Sequence, residues 1–139
     1  MMMDTSFPAP TPTINPETAP FWEATKRGVL LLPKCQTCQR TIWYPKTFCS
    51  ACGTVGVDWY EASGRATIYS YTIMHAKRAA GPYADVVPYV IAVVELEEGP
   101  RLMTNIVDAD PESLAIGQPV AVVFHPTENG VALPRFRPL

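Results

Sequence analysis

Cys35-Gln-Thr-Cys38 and Cys49-Ser-Ala-Cys52, separated by ten residues, hold all four cysteines of this 139-residue chain. Two residues between the cysteines of a pair let one tight turn aim both sulfurs at one point. Four thiolates at about 2.3 Å make a closed tetrahedral shell for Zn²⁺. The spacing therefore predicts one metal site with Cys35, Cys38, Cys49 and Cys52 as its ligands. Two disulfides are the competing use of the same residues, and they need an oxidising compartment. Residues 1–12 carry neither the cationic start nor the apolar stretch of an export signal, so a reducing, cytoplasmic setting is expected. A rubredoxin-type iron centre uses the same thiolates, but nothing in the chain suggests a redox partner, so zinc is the expected ion. Four thiolates leave no position open for water or substrate, which assigns the metal a structural role.

The segment before the first pair reads as a short helix. Residues 1–12 are rich in Pro and Thr without apolar periodicity, and a loose arm over 1–16 is expected. Thr18 can cap a helix of about Ala19 to Arg27, with Pro20 in its first turn and Gly28 at its stop. Phe21 and Trp22 are large apolar groups on a helix too short to stand alone, so they must dock. Packing on the chain's own ribbon and docking on a partner protein both stay open. Val29 to Leu32 is expected as a short strand entering the first knuckle, and Thr41 to Tyr44 as the excursion between pairs. Helix and ribbon together fill residues 17–56. Such a module is too small for a hydrophobic core, and metal binding supplies on the order of 10 kcal/mol of its folding free energy.

Beyond Gly56 the pattern changes to period two with β-branched and aromatic enrichment. Strands are expected at Asp58–Ala62, Ala66–His75, Tyr89–Glu97, Arg101–Val107, Val120–His125 and Val131–Phe136. Glu98-Gly99 and Asn129-Gly130 read as hairpin turns, and Asp110 as the cap of a short helical turn at 111–114. Closely spaced antiparallel strands with a kink at Gly64 and one helical insertion suggest a mainly β chain ending in a five-stranded OB-fold barrel over 57–139.

Eleven Lys and Arg against thirteen Asp and Glu give a net charge of −2, which offers no general attraction for nucleic acid or anionic lipid. The longest apolar stretch, Val86 to Val94, is too short for a bilayer span and is broken by Pro88. His75 and His125 are the only histidines, and neither sits in a nucleophile or metal motif; no phosphate-binding glycine loop or serine elbow is present. With every cysteine committed to metal, this chain alone is expected to catalyse nothing. The loop from His75 to Tyr83 sets Lys77 and Arg78 among small residues and one aromatic, which suits a phosphorylated adenine ligand or, equally, a solvated loop. Arg135 and Phe136 near the C-terminal end fit either a partner-docking edge or a final strand with outward arginines.

From Phe21 onward the chain resembles a known family. Gly28 to Pro33 before Cys35-Gln-Thr-Cys38, Cys49-Ser-Ala-Cys52-Gly53, Ser63-Gly64-Arg65, Val87-Pro88-Tyr89, Glu98-Gly99-Pro100-Arg101-Leu102, Ile116-Gly117 and Pro134-Arg135-Phe136 carry the resemblance. The family is that of acyl-CoA-associated proteins with an N-terminal rubredoxin-like zinc ribbon and a C-terminal OB-fold. One departure is Tyr44-Pro45-Lys46, where the family often shows paired prolines and an arginine. The resemblance implies an accessory subunit of a thiolase-like aldolase acting on acyl-CoA in steroid side-chain degradation, or of a MaoC-like enoyl-CoA hydratase or acyltransferase. On that implication Lys77 and Arg78 would meet the CoA phosphates, and Phe21, Trp22, Arg135 and Phe136 the partner. A nucleic-acid-binding ribbon and barrel is the reading from another class, and an independent redox carrier a third.

Overall fold

A computed structural model describes residues 7–75 and 81–139. Its helix α1, Ala19–Thr25, is prepared one turn upstream of the expected cap. Asn15 Oδ1 accepts the Thr18 N–H at 3.0 Å while Thr18 Oγ1 accepts the Asn15 N–H at 3.1 Å, a reciprocal capping box with Pro16 inside it. Thr18 itself makes no side-chain cap bond to α1, so the capping residue is Asn15. The helix stops as expected at Gly28, whose φ is +71°: the Val29 N–H reaches back to Ala24 O and the Gly28 N–H to Thr25 O, the pair of bonds that a left-handed glycine permits.

Strand β1, Leu31–Cys35, pairs antiparallel with β2, Val57–Glu61, from Leu31↔Glu61 to Cys35↔Val57. β1 thus runs on through Pro33 into the first cysteine, beyond the expected Val29–Leu32. The strand expected at Asp58–Ala62 forms, but its partner is β1 and not the barrel.

Five strands make the barrel: β3 (Arg65–Met74), β4 (Tyr89–Leu96), β5 (Arg101–Ile106), β6 (Pro119–Pro126) and β7 (Ala132–Pro138). They close in the order β3-β4-β5-β7-β6, with β6 returning to β3 and β5 meeting β7 in parallel at Ile106↔Phe136. That closure, with a short 3₁₀ turn at Pro111–Ser113 between β5 and β6, is an OB-fold. Asp110 caps the turn as expected, accepting the Glu112 N–H at 3.0 Å. The kink lies deeper in β3 than Gly64: the register with β4 slips between Ile68 and Ser70, a bulge that bends the strand around the barrel. Gly64 has a different task, since a Cβ there would stand 2.8 Å from Val122 Cγ1. At Asn129-Gly130 only Gly130 takes positive φ, and Thr127 closes the turn through Val131 O.

Period-two alternation along β4 and β5 turns Val90, Ala92, Val94, Leu96, Leu102 and Ile106 inward, where Ile68, Val120 and Phe136 meet them. Phe21, Trp22, Leu30 and Leu32 belong to this same cluster. Helix, ribbon base and barrel therefore share one core. Thr25 bolts α1 to β7, its Oγ1 accepting the Ala132 N–H at 2.9 Å. Residues 7 and 8, within the stretch expected to be loose, lie on the barrel: the Phe7 ring packs edge-on against Tyr83, Tyr89 and His125. Among the described residues no helix is long and apolar enough to cross a membrane.

Candidate metal centre and adjoining surfaces

The two knuckles are built alike. In the first, the Cys35 N–H bonds Arg40 O and the Gln39 N–H bonds Cys35 O; in the second, the Cys49 N–H bonds Thr54 O and the Gly53 N–H bonds Cys49 O. Each turn needs a left-handed residue just after its second cysteine, and Gln39 and Gly53 supply φ of 66° and 76°. The sulfurs of all four cysteines lie within 4.8 Å of one another, and this is the one such group among the described residues. Cys35 Sγ is 3.6 Å from Cys52 Sγ, and Cys38 Sγ is 3.7 Å from Cys49 Sγ. A tetrahedron with metal–sulfur bonds of about 2.3 Å has edges of about 3.8 Å, so the thiols present fit a tetrahedral ion. Cys35 and Cys49 are buried with Ile42, while Cys38 and Cys52 face solvent.

Thiol acidities show what the cluster lacks without a cation. The Thr54 hydroxyl and N–H, with help from Cys35, bring Cys52 down to about 6. Cys38, although a bond from the Arg40 N–H lowers it, is carried up to about 11 by desolvation and by the neighbouring sulfurs. Four thiolates this close cannot all ionise without a positive charge at their centre, which a divalent ion provides.

Lys77 and Arg78 lie outside the described residues, and His75 is exposed just before them. The four residues expected at a partner interface all point into this chain: Phe21 is 1% exposed, Trp22 7%, Arg135 3% and Phe136 0%. For Phe21 and Trp22 the cause is the shared core, which the T-shaped contact of Phe21 with Trp43 at 5.4 Å extends to the ribbon. For Arg135, read either as a partner-docking residue or as an outward arginine, the cause is the set of groups gathered around its guanidinium. Its guanidinium lies 2.9 Å from His125 Nδ1, donates to Pro8 O at 2.9 Å and Tyr83 Oη at 3.0 Å, and sits over the Phe7 ring. Burial lowers its pKa, and Tyr83 offsets part of that. This cluster joins residues from four distant segments, so no local motif could announce it.

Next to the buried pair, a groove of about 250 Å³ runs between α1, the ribbon excursion and β5; Trp43, Tyr44, Met103 and Leu133 line it. Met103 is 74% exposed and Tyr44 44%.

A family model described as the rubredoxin-like zinc ribbon domain of ChsH2 matches residues 22–55, and one described as the C-terminal OB-fold domain of ChsH2 matches residues 59–125. The chain is 38% identical over 130 residues to a probable enoyl-CoA hydratase alpha subunit of Thermomonospora curvata, covering 93% of this chain and 40% of that protein. With the 3-oxo-4,17-pregnadiene-20-carboxyl-CoA hydratase alpha subunit of Mycobacterium tuberculosis it shares 32% identity over 81% of this chain and 35% of the other. The chain thus spans well under half the length of both hydratase subunits. A DUF35 domain-containing scaffold protein of Methanothermobacter thermautotrophicus is 36% identical, with 78% of this chain and 81% of that protein aligned. Among solved structures, one titled Ltp2-ChsH2(DUF35) aldolase superposes with a TM-score of 0.81 at 37% identity, over 92% of this chain and 98% of that one. Ribbon and barrel follow one another in the order of these two matches, and the chain belongs to the DUF35/ChsH2 family.

Proposed function

We propose that this chain is a non-catalytic accessory subunit of a thiolase-like enzyme that cleaves acyl-CoA thioesters by retro-aldol chemistry in steroid side-chain breakdown. The observation that carries this reading is the 0.81 TM-score match to the chain of the Ltp2-ChsH2(DUF35) aldolase. In such an assembly the partner supplies the nucleophile and the acid–base groups, and this chain supplies a rigid scaffold. A hydratase complex is the second reading, favoured by the names of the Thermomonospora and Mycobacterium relatives. Co-purification from the native host, with mass-spectrometric identification of the bound enzyme, separates the two: a thiolase supports the first reading and a MaoC-like hydratase the second.

The ion is proposed to be Zn²⁺, held by Cys35, Cys38, Cys49 and Cys52 in a reducing cytoplasm. The sulfur spacing of 3.6 and 3.7 Å supports it. Because Phe21, Trp22, Arg135 and Phe136 are buried, their proposed part in docking is to hold up the groove in which Tyr44 and Met103 present the contact atoms. Lys77 and Arg78 are proposed to meet the CoA phosphates at the subunit boundary. Alanine at Met103 and Tyr44 should weaken the complex on gel filtration, and unchanged elution would remove this face from the account.

A further inference from the structure

A second surface combines cations in a way that the chain's net charge of −2 does not foreshadow. Arg40 follows the first knuckle, Lys46 lies on the excursion between the knuckles, and Arg101 opens β5 just after the β4–β5 turn. All three line a cavity of about 350 Å³ between ribbon and barrel, with Thr41 and Ser50 adding hydroxyls and no carboxylate in the wall. That volume is at the small end of ligand pockets, which run to roughly 300–1,000 Å³. Arg101 is fixed in place: its Nε donates to Glu95 Oε2 at 2.9 Å, and its guanidinium lies 3.8 Å over the Tyr69 ring. Among the described residues neither Arg40 nor Lys46 has a carboxylate within ion-pair distance; Lys46 Nζ has only the Phe48 ring at 5.6 Å.

We propose that this pocket binds the phosphoryl groups of a small pyrophosphate-bearing ligand. Arg101 already spends one edge of its fork on Glu95, which leaves Arg40 and Lys46, from two separate segments, without a carboxylate, and two such cations beside the free edge of Arg101 suit a ligand with more than one anionic group. Arg40 and Arg101 offer planar forks and Lys46 a mobile point charge. Thr41 and Ser50 can donate to the oxygens that remain. If the accessory-subunit reading holds, the pyrophosphate of the CoA thioester is the natural source, a step that rests on that reading; the pocket itself does not. The bland alternative is that Arg40 and Lys46 only offset the negative charge of the thiolates, since Cys49 borders the same cavity.

The test is a titration of the metal-loaded, ¹⁵N-labelled chain alone with sodium pyrophosphate, against acetate at matched ionic strength. Saturable shifts at the amides of Arg40, Thr41, Lys46 and Ser50 are expected with pyrophosphate only. They should weaken at least ten-fold in Arg40→Gln/Lys46→Gln and persist in the charge-keeping Arg40→Lys/Lys46→Arg, with metal content unchanged in both. Shifts that never saturate, that fall elsewhere, or that are the same in the Gln variant would overturn the proposal. So would a Gln variant that sheds metal while the parent chain binds no pyrophosphate, which would assign the cations to the thiolates. Affinity for single-stranded oligonucleotides that grows with their length, and exceeds that for pyrophosphate, would replace the small ligand by nucleic acid. No partner enzyme is present in this titration, so its failure leaves the co-purification result, and the reading built on it, standing or falling separately.

Discussion

Gln39 and Gly53 hold equivalent stations in the two knuckles, each donating its N–H to the first cysteine's carbonyl, at 3.0 and 2.7 Å, from a left-handed backbone. Only one of them is a glycine. A residue with a Cβ costs roughly 1–2 kcal/mol in that conformation, so the first knuckle already carries strain that the second avoids. Gly53→Ala should therefore weaken metal retention against a competing chelator by about 1 kcal/mol, roughly five-fold. No neighbour lies within 4 Å of the added Cβ, so the loss is of backbone origin alone. Gln39→Ala should be close to neutral and Gln39→Gly should retain metal slightly better. Equal losses at both positions would refute the argument.

Replacing Cys38 or Cys49 by Ser should abolish stoichiometric metal binding and loosen the knuckles, leaving the slow-exchanging barrel amides of β4 and β5 protected. Cys35, Cys49, Ile42 and Val57 form a cluster of their own, apart from the main core. Hydrogen exchange with mass-spectrometric readout checks both halves of this statement. The same site sets a pH dependence. Cys38 is pushed up to about 11 in the metal-free arrangement while Cys52 is lowered, so at neutral pH metal uptake expels the proton on Cys38. Protons released on binding mean affinity rises with pH, and uptake between pH 6 and 8 should be accompanied by measurable proton release.

Arg135 ties Pro8 and Tyr83 to the barrel through its guanidinium. Arg135→Met keeps the stem and removes these two bonds together with the contact to His125, at a cost of about 1–3 kcal/mol. Limited proteolysis should then cut near residues 7–10 sooner than in the parent, while far-ultraviolet circular dichroism stays unchanged. Identical cleavage rates would show that the ring contacts of Phe7 hold this segment without the arginine.

Lys77→Glu/Arg78→Glu in the assembled enzyme should raise KM for the CoA thioester more than it lowers kcat, because contacts to phosphates remote from the reacting bond act alike in ground and transition states. The effect should shrink at high salt, where charges are screened over a few ångströms. Normal kinetics at low and high salt would leave the CoA phosphates to the partner or to the pocket around Arg40 and Lys46.

The sequence was most legible where chemistry is local. Cysteine spacing foretold a cluster whose sulfurs meet, and period-two alternation located the five barrel strands to within a residue or two at most ends. Gly28 marked the helix stop because only a left-handed residue permits the two closing bonds. What escaped was decided by partners distant along the chain. Residues Asp58–Ala62 alternate like a barrel strand, yet their partner is β1, because Cys35 and Val57 must stand side by side to bring the knuckles together. Asn15 outranks Thr18 as a cap because the box they form closes only when both side chains bond back. Arg135 has the composition of a surface cation and lies inside, held by His125, Pro8 and Tyr83 from three other segments. The basic pocket was hidden for the same reason: Arg40, Lys46 and Arg101 meet only when the ribbon folds against the β4–β5 turn.

The accessory-subunit account is tested most directly by reconstitution. On the proposed account, a thiolase-like enzyme captured by co-purification with this chain and assayed for retro-aldol cleavage of its CoA thioester should be inactive or unstable alone. The metal-loaded chain should show no turnover by itself, and mixing the two should restore cleavage at a fixed stoichiometry that light scattering on the eluted complex can read. Full activity of the enzyme alone, unaltered by adding this chain, would contradict the account.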